Sequence, residues 1–328
     1  MRYLVLGSNS FAGSTFVDEM LTQDEEVVGI SRSAQPDLVL RPYANNPQLK
    51  SFTFYPFDLN SNFSEIKALI RQFKPHYVID FASQSMVAES WKNPDQWYIT
   101  NIVAKVRLHE FLRNCDFLER YIRISTPEIY GHVDGLIQEN DFFNPTTPYA
   151  VSQAAIDMSL MAFYKQYEFP VIFTRYANFY GPYQQLYRIV PKTIIFGLLK
   201  KKLPLHGGGL SKRAFIYGTD VASAITASIQ KGKLGESYHF STGDCISIAD
   251  LIRKICAMMH LQFEDVAEIA SERPGKDFQY FMSTQKAEKE LSWQPKVSLD
   301  IGIQKTIEWA KQNIKTIATL PLDYIHKP

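Results

Sequence analysis

Short apolar runs alternate with longer segments of helical periodicity along this chain of 328 residues. The apolar runs are five or six residues long, a length typical of buried strands. They lie at residues 2–6, 26–30, 76–81, 120–124 and 171–175. Because helical patterns separate these strands, the sequence predicts an α/β fold with a parallel sheet and helices on both faces.

Two of the helical patterns are long. Residues 94–114 carry a broad apolar stripe, which predicts one continuous amphipathic helix. A second helix is predicted from Tyr149 to about Tyr167, with small and apolar side chains that permit close docking on the sheet. A third begins near Phe63 and leads into the strand at residues 76–81.

Composition and charge exclude several functions. With 45% hydrophobic residues, the chain can bury one large core or two joined cores. A net charge of +1 provides no general electrostatic surface for nucleic acid or an anionic membrane. Cys115, Cys245 and Cys256 lack metal-like spacing, and no apolar run reaches ~18 residues. We therefore expect a cytoplasmic protein with reduced thiols and no metal site.

A glycine-bounded segment directly follows the first strand and leads into a helix. Glycine at such a turn lets the backbone approach a pyrophosphate, which then contacts the exposed N–H groups of the first helical turn. The alternative is a turn kept for packing alone. Its position after the first strand favours dinucleotide binding, and the candidate residues are Gly7, Ser8, Asn9, Ser10, Phe11 and Gly13.

The residues after the second strand bear on the choice of dinucleotide. An acidic residue there would bind the ribose 2′-hydroxyl of NAD, whereas arginine with small hydroxyls can accept the 2′-phosphate of NADP. This chain has Ser31, Arg32 and Ser33 and no acid. The sequence therefore favours NADP over NAD, although Arg32 could equally be a solvated loop charge.

The candidate chemistry lies between residues 125 and 153, in the strings STPEIYG and PYAVSQ. Thr126 and Glu128 follow a predicted buried strand, and Tyr149 begins a predicted helix. Thr126 and Tyr149 can both hydrogen-bond one substrate hydroxyl, and the tyrosine can act as a base if its pKa falls well below ~10. Glu128 supplies a separate base.

These strings resemble those of the extended short-chain dehydrogenase/reductase family, and within it the NDP-sugar 4,6-dehydratases, which carry T-D-E-x-Y-G and Y-x-x-x-K. Pro127 stands in place of the acidic residue and Gln153 in place of the lysine. The resemblance implies a Rossmann-type doubly wound parallel sheet. It also implies a dinucleotide-binding domain at 1–181 with a returning segment near 212–242, and a smaller discontinuous nucleotide-sugar domain mainly at 182–328.

The resemblance extends the candidate cofactor site along the chain. Asp58 matches a residue that contacts adenine in the family, and the alternative is a cap for the helix near Phe63. The implied additional cofactor-binding residues are Asp58, Leu59, Phe81, Ala82, Ser83, Tyr149, Gln153 and Tyr176. Asn101 matches an asparagine that positions the active site, and the alternative is a polar helix residue facing solvent.

Family motifs in the second half of the chain imply the substrate site. Arginines are suitable because a guanidinium gives a diphosphate bidentate hydrogen bonds, although surface salt bridges are the alternative for each. The implied substrate-binding residues are Ser85, Met86, Asn178, Arg188, Val190, Leu205, Arg213 and Arg273. The implied catalytic residues are Thr126, Glu128, Tyr149 and Gln153.

The resemblance implies an NAD(P)-dependent sugar-nucleotide 4,6-dehydratase that works through a transient 4-keto sugar, with the dinucleotide tightly bound and recycled. An NDP-sugar epimerase or a UDP-uronate decarboxylase is the alternative, because neither needs an acid in the place of Pro127. A non-catalytic NAD(P)-binding protein is the further alternative. In relatives, the helix from Tyr149 and the preceding helix pair with their copies in a second subunit to make a four-helix bundle, so a homodimer is expected.

Overall fold

The computed structural model describes residues 1–133, 135–271 and 281–327 of the protein. The predicted diphosphate ligand Arg273 lies outside these residues. The strands are β1 Arg2–Leu6, β2 Glu26–Ile30, β3 Phe52–Tyr55, β4 Tyr77–Asp80, β5 Arg120–Ser125, β6 Leu136–Ile137, β7 Val171–Tyr176, β8 Asn178–Tyr180, β9 Leu203–His206, β10 Lys212–Arg213, β11 Phe215–Tyr217, β12 Ser237–Phe240, β13 Ile246–Ser247, β14 Ala267–Ala270 and β15 Phe281–Met282.

The helices lie between these strands in chain order. They are α1 Phe11–Thr22, α2 Phe63–Phe73, α3 Val87–Ser90, α4 Pro94–Tyr98, α5 Ala104–Leu112, α6 Pro148–Tyr167, α7 Ile189–Leu198, α8 Gly218–Lys231, α9 Ile248–Met258, α10 Phe263–Val266 and α11 Leu299–Ile317. Short 3-10 turns and two π-helical segments complete the chain.

The central sheet has seven parallel strands in the order β12-β7-β5-β4-β1-β2-β3. The chain winds outward from β1 through β2 to β3, and then returns to place β4 on the other side of β1. This arrangement confirms the predicted Rossmann-type fold. It also puts a topological switch point at the carboxyl ends of β1 and β4, where ligands bind in open sheets of this kind.

Both faces of the sheet are covered, which explains why most positions of its strands are apolar. Val5, Ile79 and Ile122 pack into the core cluster on one face. Leu4 and Val78, their neighbours in sequence, pack into the cluster on the other face. Successive side chains point to opposite faces of a strand, so a parallel sheet between two helical layers buries almost every position.

A third core cluster forms in the C-terminal half, where Ile194 of α7, Leu251 of α9 and Ile303 of α11 pack together. The chain nevertheless returns to the central sheet, since β12 pairs in parallel with β7. The division of the chain at residue 181, with a returning segment near 212–242, stays a prediction.

The predicted helix over residues 94–114 is helical from Pro94 to Leu112, but its middle is not a regular α-helix. A π-helical segment, Ile99–Val103, separates α4 from α5. Asn101 in this segment is fully buried, so it does not face solvent. Its Oδ1 accepts the Gln84 backbone N–H at 2.8 Å, and its Nδ2 donates to the Ser152 hydroxyl at 2.9 Å. A π segment widens the helix locally, which is a common feature beside functional sites.

In the described ranges, no helix is both long enough and apolar enough to cross a membrane. These ranges also contain no group of three or more His, Cys, Asp or Glu side chains placed to hold a metal ion.

Candidate active site

Two adjoining cavities open at the carboxyl edge of the central sheet. The first, which we call the reaction cavity, has a volume of about 530 Å³, and the second, the dinucleotide cavity, has about 420 Å³. Both volumes are in the range of small-molecule sites. The two cavities share the lining residues Ser10, Phe81, Ser83, Ser85, Gln185 and Tyr187.

The glycine-bounded loop between β1 and α1 forms one wall of the dinucleotide cavity. Gly7 has φ +78°, and a Cβ there would lie 2.7 Å from the backbone nitrogen of Ala82. Any other residue would therefore clash with the end of β4. Ser10, in place of the middle glycine, is the N-cap of α1, and its hydroxyl accepts the Gly13 N–H at 3.1 Å.

Most of the predicted cofactor residues line the two cavities. Those in the dinucleotide cavity are Gly7, Asn9, Ser10, Ser31, Arg32, Asp58, Leu59, Phe81, Ala82 and Ser83. Those in the reaction cavity include Phe11, Tyr149, Gln153 and Tyr176. Ser8 lies away from both, which corrects the expectation for its side chain. It is fully buried beneath the loop, next to Gly29, because the loop turns its hydroxyl into the sheet.

Gly13 and Asp58, both predicted to bind the cofactor, have structural roles of their own. A Cβ on Gly13 would lie 2.5 Å from the Gly7 carbonyl oxygen, so Gly13 keeps α1 close to the loop rather than lining a cavity. Asp58 does not cap α2, whose N-cap is Asn62. Its carboxylate instead accepts the Asn60 N–H at 2.7 Å, which closes a tight turn beside the dinucleotide cavity.

The C-terminal segment reaches the dinucleotide cavity, which the sequence did not indicate. The Lys327 ammonium donates to the Ser33 hydroxyl at 3.0 Å, and the Lys327 carbonyl accepts from Gln84 at 2.9 Å. Next to them, the His326 ring stacks on Trp97 with a centroid distance of 5.4 Å. Residues nearly 300 positions apart in sequence are joined here, and no local pattern could have revealed them.

Thr126 and Glu128 lie at the carboxyl end of β5. Pro127 is the first residue of the 3-10 turn Pro127–Tyr130, a position where the missing N–H is not needed. The Thr126 hydroxyl accepts the Glu128 N–H at 3.3 Å. The half-buried Glu128 lines the reaction cavity, whereas the Pro127 ring offers no proton to it.

Tyr149 begins the first turn of α6 and faces Thr126 across the reaction cavity. Thr147 caps this helix by accepting the Ala150 N–H at 3.1 Å, and Pro148 occupies its first position. The Tyr149 phenol forms a hydrogen bond with the Thr126 side chain. The helix start therefore places the phenol beside the threonine hydroxyl. That the two side chains hold one substrate hydroxyl stays a prediction.

Several groups act in opposite directions on the pKa of Tyr149. Burial raises the pKa most, and the Glu128 carboxylate raises it further. The hydrogen bond from Thr126 and the positive charges of Arg123 and Arg188 lower it. The net effect is a pKa above the usual value of tyrosine, so the phenol needs nearby positive charge before it can act as a base.

Gln153 lies one helical turn after Tyr149 and is buried. Its amide oxygen accepts a hydrogen bond from the Arg123 guanidinium, and its amide nitrogen donates to the Ser83 hydroxyl at 2.7 Å. The sequence analysis missed Arg123. The signal was present, because Arg123 is a charged residue in the middle of an otherwise apolar strand.

Arg123 belongs to a group of five fully buried ionic side chains beneath the cavities, which we call the buried charge cluster: Asp80, Lys105, Arg123, Asp157 and Arg175. Lys105 contacts Asp80 at 2.7 Å, while Arg123 and Arg175 contact Asp157 at 3.0 and 3.3 Å. Burial lowers the pKa of Lys105 to about 8, against the opposing effect of Asp80. Burial acts to raise the pKa of Asp80, but the charges of Lys105 and Arg123 hold it below its usual value.

Of the predicted substrate residues that the structure describes, all but one line the reaction cavity. Ser85, Met86, Asn178, Arg188, Val190 and Arg213 line it. Leu205 does not, which corrects the prediction. Its side chain packs in a core cluster with Phe196 and Ile252, because alternate residues of the short strand β9 point into the C-terminal core.

Comparison with known proteins identifies the family to which this fold and this site belong. The profile of the GDP-mannose 4,6-dehydratase family matches residues 4–306. A human dTDP-D-glucose 4,6-dehydratase is 33% identical over 254 residues, covering 76% of this chain and 72% of its own.

Two solved structures are similar over nearly the whole chain. One is a dTDP-glucose 4,6-dehydratase from Streptomyces venezuelae with NAD and TYD bound, at a TM-score of 0.86 and 26% identity, covering 96% of this chain and 98% of its own. The other is a UDP-glucuronic acid 4-epimerase from Bacillus cereus in complex with UDP-glucuronic acid and NAD, at a TM-score of 0.85 and 26% identity, covering 95% and 99%. With this fold, this site and these matches, the chain belongs to the GDP-mannose 4,6-dehydratase family of the extended short-chain dehydrogenases/reductases.

Proposed function

We propose that the protein is an NAD(P)-dependent sugar-nucleotide 4,6-dehydratase, or a close variant, that acts through a transient 4-keto sugar. One observation carries the proposal: Thr126, Glu128 and Tyr149 line the same cavity as Arg188 and Arg213. This arrangement sets proton-transfer groups opposite cations that can bind a diphosphate.

The dinucleotide cavity fits a nicotinamide dinucleotide. Gly7 leaves room for close backbone approach, and the N-terminus of α1 faces the loop. The Asn9 amide oxygen is buried and has no hydrogen-bond partner among the residues that the structure describes, so it is available to a ligand hydroxyl. When bound, the nicotinamide supplies an acceptor that takes hydride from the sugar and later returns it, so that the cofactor is tightly bound and recycled.

The first proton transfer falls to Tyr149. Its phenolate oxygen takes the proton of the sugar 4-hydroxyl while the Thr126 hydroxyl holds the same sugar oxygen in place. Oxidation at carbon 4 produces a ketone, which acidifies the hydrogen on carbon 5. The half-buried Glu128 carboxylate then removes that proton as a general base.

Loss of the 6-hydroxyl requires a proton that Pro127 cannot supply. In our proposal Glu128 returns the proton it has taken, either directly or through a water molecule, so that the hydroxyl leaves as water, and carbon 5 then takes a new proton from the solvent. The structure also supports a second candidate function, because Pro127 is buried where an acid would stand. An epimerase or a uronate decarboxylase needs no acid at that position, and a UDP-glucuronic acid 4-epimerase is among the similar structures.

We further propose that NADP is preferred over NAD. The dinucleotide cavity is lined by Ser31, Arg32 and Ser33 after β2, where no carboxylate stands to bind a 2′-hydroxyl. The Lys327 ammonium adds positive charge at Ser33. The solved relatives contain NAD, so the 2′-phosphate preference would distinguish this chain from them.

A homodimer is the proposed assembly, formed through the helical face around α4 and α6. Ile99, Val103, Val151 and Met158 are exposed there and fit a four-helix bundle with a second copy. Light scattering that gives the mass of a monomer would contradict this.

The three cysteines are free thiols, which supports a cytoplasmic location.

The test begins with purified protein and a panel of UDP-, dTDP-, GDP- and CDP-hexoses in deuterated water. Denaturation should release NADP, and one sugar should become a 4-keto-6-deoxy product with deuterium at carbon 5. Deuterium at carbon 5 with the 6-hydroxyl retained would assign the protein to the epimerases, and release of carbon dioxide would assign it to the decarboxylases. Neither label nor nicotinamide reduction with any sugar would contradict catalysis and leave a dinucleotide-binding protein.

A further inference from the structure

The reaction cavity lacks the lysine of the family pattern Y-x-x-x-K, yet the structure places a positive charge directly behind its replacement. Gln153 is neutral, and its amide oxygen accepts a hydrogen bond from the guanidinium of Arg123. Arg123 comes from β5, the strand that ends in Thr126, and is fully buried. The positive charge thus lies on Arg123, behind Gln153, and not at position 153 itself.

The Arg123 guanidinium is rigidly held. It donates to the Asp157 carboxylate at 3.0 Å and to its neighbour's carbonyl, that of Ile124, at 2.8 Å, in addition to Gln153. Three acceptors in different directions fix the planar group, which needs no rearrangement when charge develops nearby. A flexible surface arginine could not provide a constant field at the phenol.

The charge of Arg123 is not cancelled by its surroundings. The buried charge cluster contains three cations, Lys105, Arg123 and Arg175, and two carboxylates, Asp80 and Asp157. Of these three cations, Arg123 is the one that contacts Gln153 and acts on the phenol of Tyr149. Inside a protein such a charge acts over several ångströms with less screening than at the surface.

The phenol of Tyr149 experiences this field. The groups that face it are Glu128 and Thr126 from the end of β5, Arg123 from within β5, and Arg188 from the start of α7. The Glu128 carboxylate opposes ionisation of the phenol, and the two arginines favour it. Arg188 lines the reaction cavity, where a sugar diphosphate would engage it, so Arg123 is the cation that stays with the tyrosine throughout.

We propose that Arg123 replaces the ammonium missing at position 153: it is a positioning residue that holds Gln153 against Ser83 and supplies the positive charge that lets Tyr149 act as a base. The inference rests on the proposed function, because it assigns Tyr149 that role. It predicts that residues 123 and 153 act together, and that either of them can carry the positive charge.

The test variant is Gln153→Glu. The new carboxylate keeps the shape of the side chain and its contact with Arg123, but it cancels the guanidinium charge as seen by Tyr149. Two measurements follow: the acidic limb of the pH dependence of kcat, and the appearance of tyrosinate absorbance in the holoenzyme, with Tyr149→Phe as the spectral reference. The acidic limb and the tyrosinate titration should both move to higher pH by about one unit, because the new negative charge offsets the guanidinium charge beside the phenol.

Three other variants separate charge from structure. Arg123→Lys keeps the cation, so its limb should stay close to the wild-type position even if turnover falls. Arg123→Gln combined with Gln153→Lys moves the cation to position 153 and should bring the limb back from its Gln153→Glu position. Arg175→Gln breaks another buried ion pair with the same Asp157 and should leave the limb in place while lowering stability.

The outcomes are decisive in either direction. A Gln153→Glu enzyme whose limb and tyrosinate titration coincide with those of the wild type would overturn the inference, as would an equal shift in Arg175→Gln. If no nucleotide sugar is turned over, the proposed function fails, while the tyrosinate titration still decides the role of Arg123. If turnover occurs and the titration does not move, the inference alone fails.

Discussion

Replacing Glu128 by glutamine should lower turnover by about 10²- to 10⁴-fold, the range found for loss of a general acid or base. The amide keeps the volume of the side chain and its place in the 3-10 turn after β5. It cannot take the proton from carbon 5, so deuterium should no longer enter the product. Oxidation at carbon 4 depends on Tyr149 and should survive, which transient absorbance of the reduced nicotinamide would report.

Glu139→Gln is the matched control for this prediction. Glu139 is a half-buried carboxylate that accepts the His239 N–H at 2.9 Å, a bond that an amide oxygen can keep, and it lies outside the reaction cavity. Its turnover should stay near that of the wild type. Normal turnover in Glu128→Gln would remove Glu128 from the reaction, whereas loss of both turnover and cofactor reduction would show that Glu128 acts before carbon 5.

Replacing Lys105 by methionine should lower the free energy of unfolding by about 3–5 kcal/mol, because it removes the nearest cation from a fully buried carboxylate. Lys105 and Asp80 are both completely inaccessible and lie 2.7 Å apart, whereas Arg123 lies 3.9 Å from Asp80. The methionine fills similar space, so the loss comes from the broken ion pair rather than from a cavity. Chemical denaturation of the wild type and the variant at pH 7 would measure it.

Two further variants define the origin of that loss. Lys92→Met removes one partner of an exposed pair, Lys92 and Glu89, and should cost less than about 1 kcal/mol. Asp80→Asn combined with Lys105→Met removes both charges of the buried pair and should recover part of the stability. A double variant as unstable as the single one would show that the packing of Lys105, not its charge, matters.

The two departures from the family motifs have different structural explanations. Pro127 is compatible with its position because it begins a 3-10 turn, so the backbone geometry around Thr126 and Glu128 is kept although an acid is lost. Gln153 keeps the hydrogen bond to Ser83, and the charge that it lacks is found one residue deeper, on Arg123. The first departure concerns the supply of a proton, and the second concerns where a charge is placed.

The sequence by itself determined the fold and the walls of the site. Strand and helix are encoded by local periodicity, so β1, β2, β4, β5 and β7 could be predicted within a residue or two, whereas the shorter β3 and β6 were not predicted. The loop at Gly7 and the pairing of Thr126 with Tyr149 followed as well, because parallel strands all deliver their carboxyl ends to one edge of the sheet. The motifs and the sheet topology together determine where these side chains lie.

Only the tertiary structure determined which residues contact and support the lining of the site. The contact of Asn101 with Gln84 at the π-helical segment, the contact of Arg123 with Gln153, and the contact of Lys327 with Ser33 all join residues from different elements of the fold. Each depends on packing in three dimensions, which periodicity does not encode. A buried side chain has to find a partner among whatever neighbours the fold provides, and those neighbours are known only once the chain has folded.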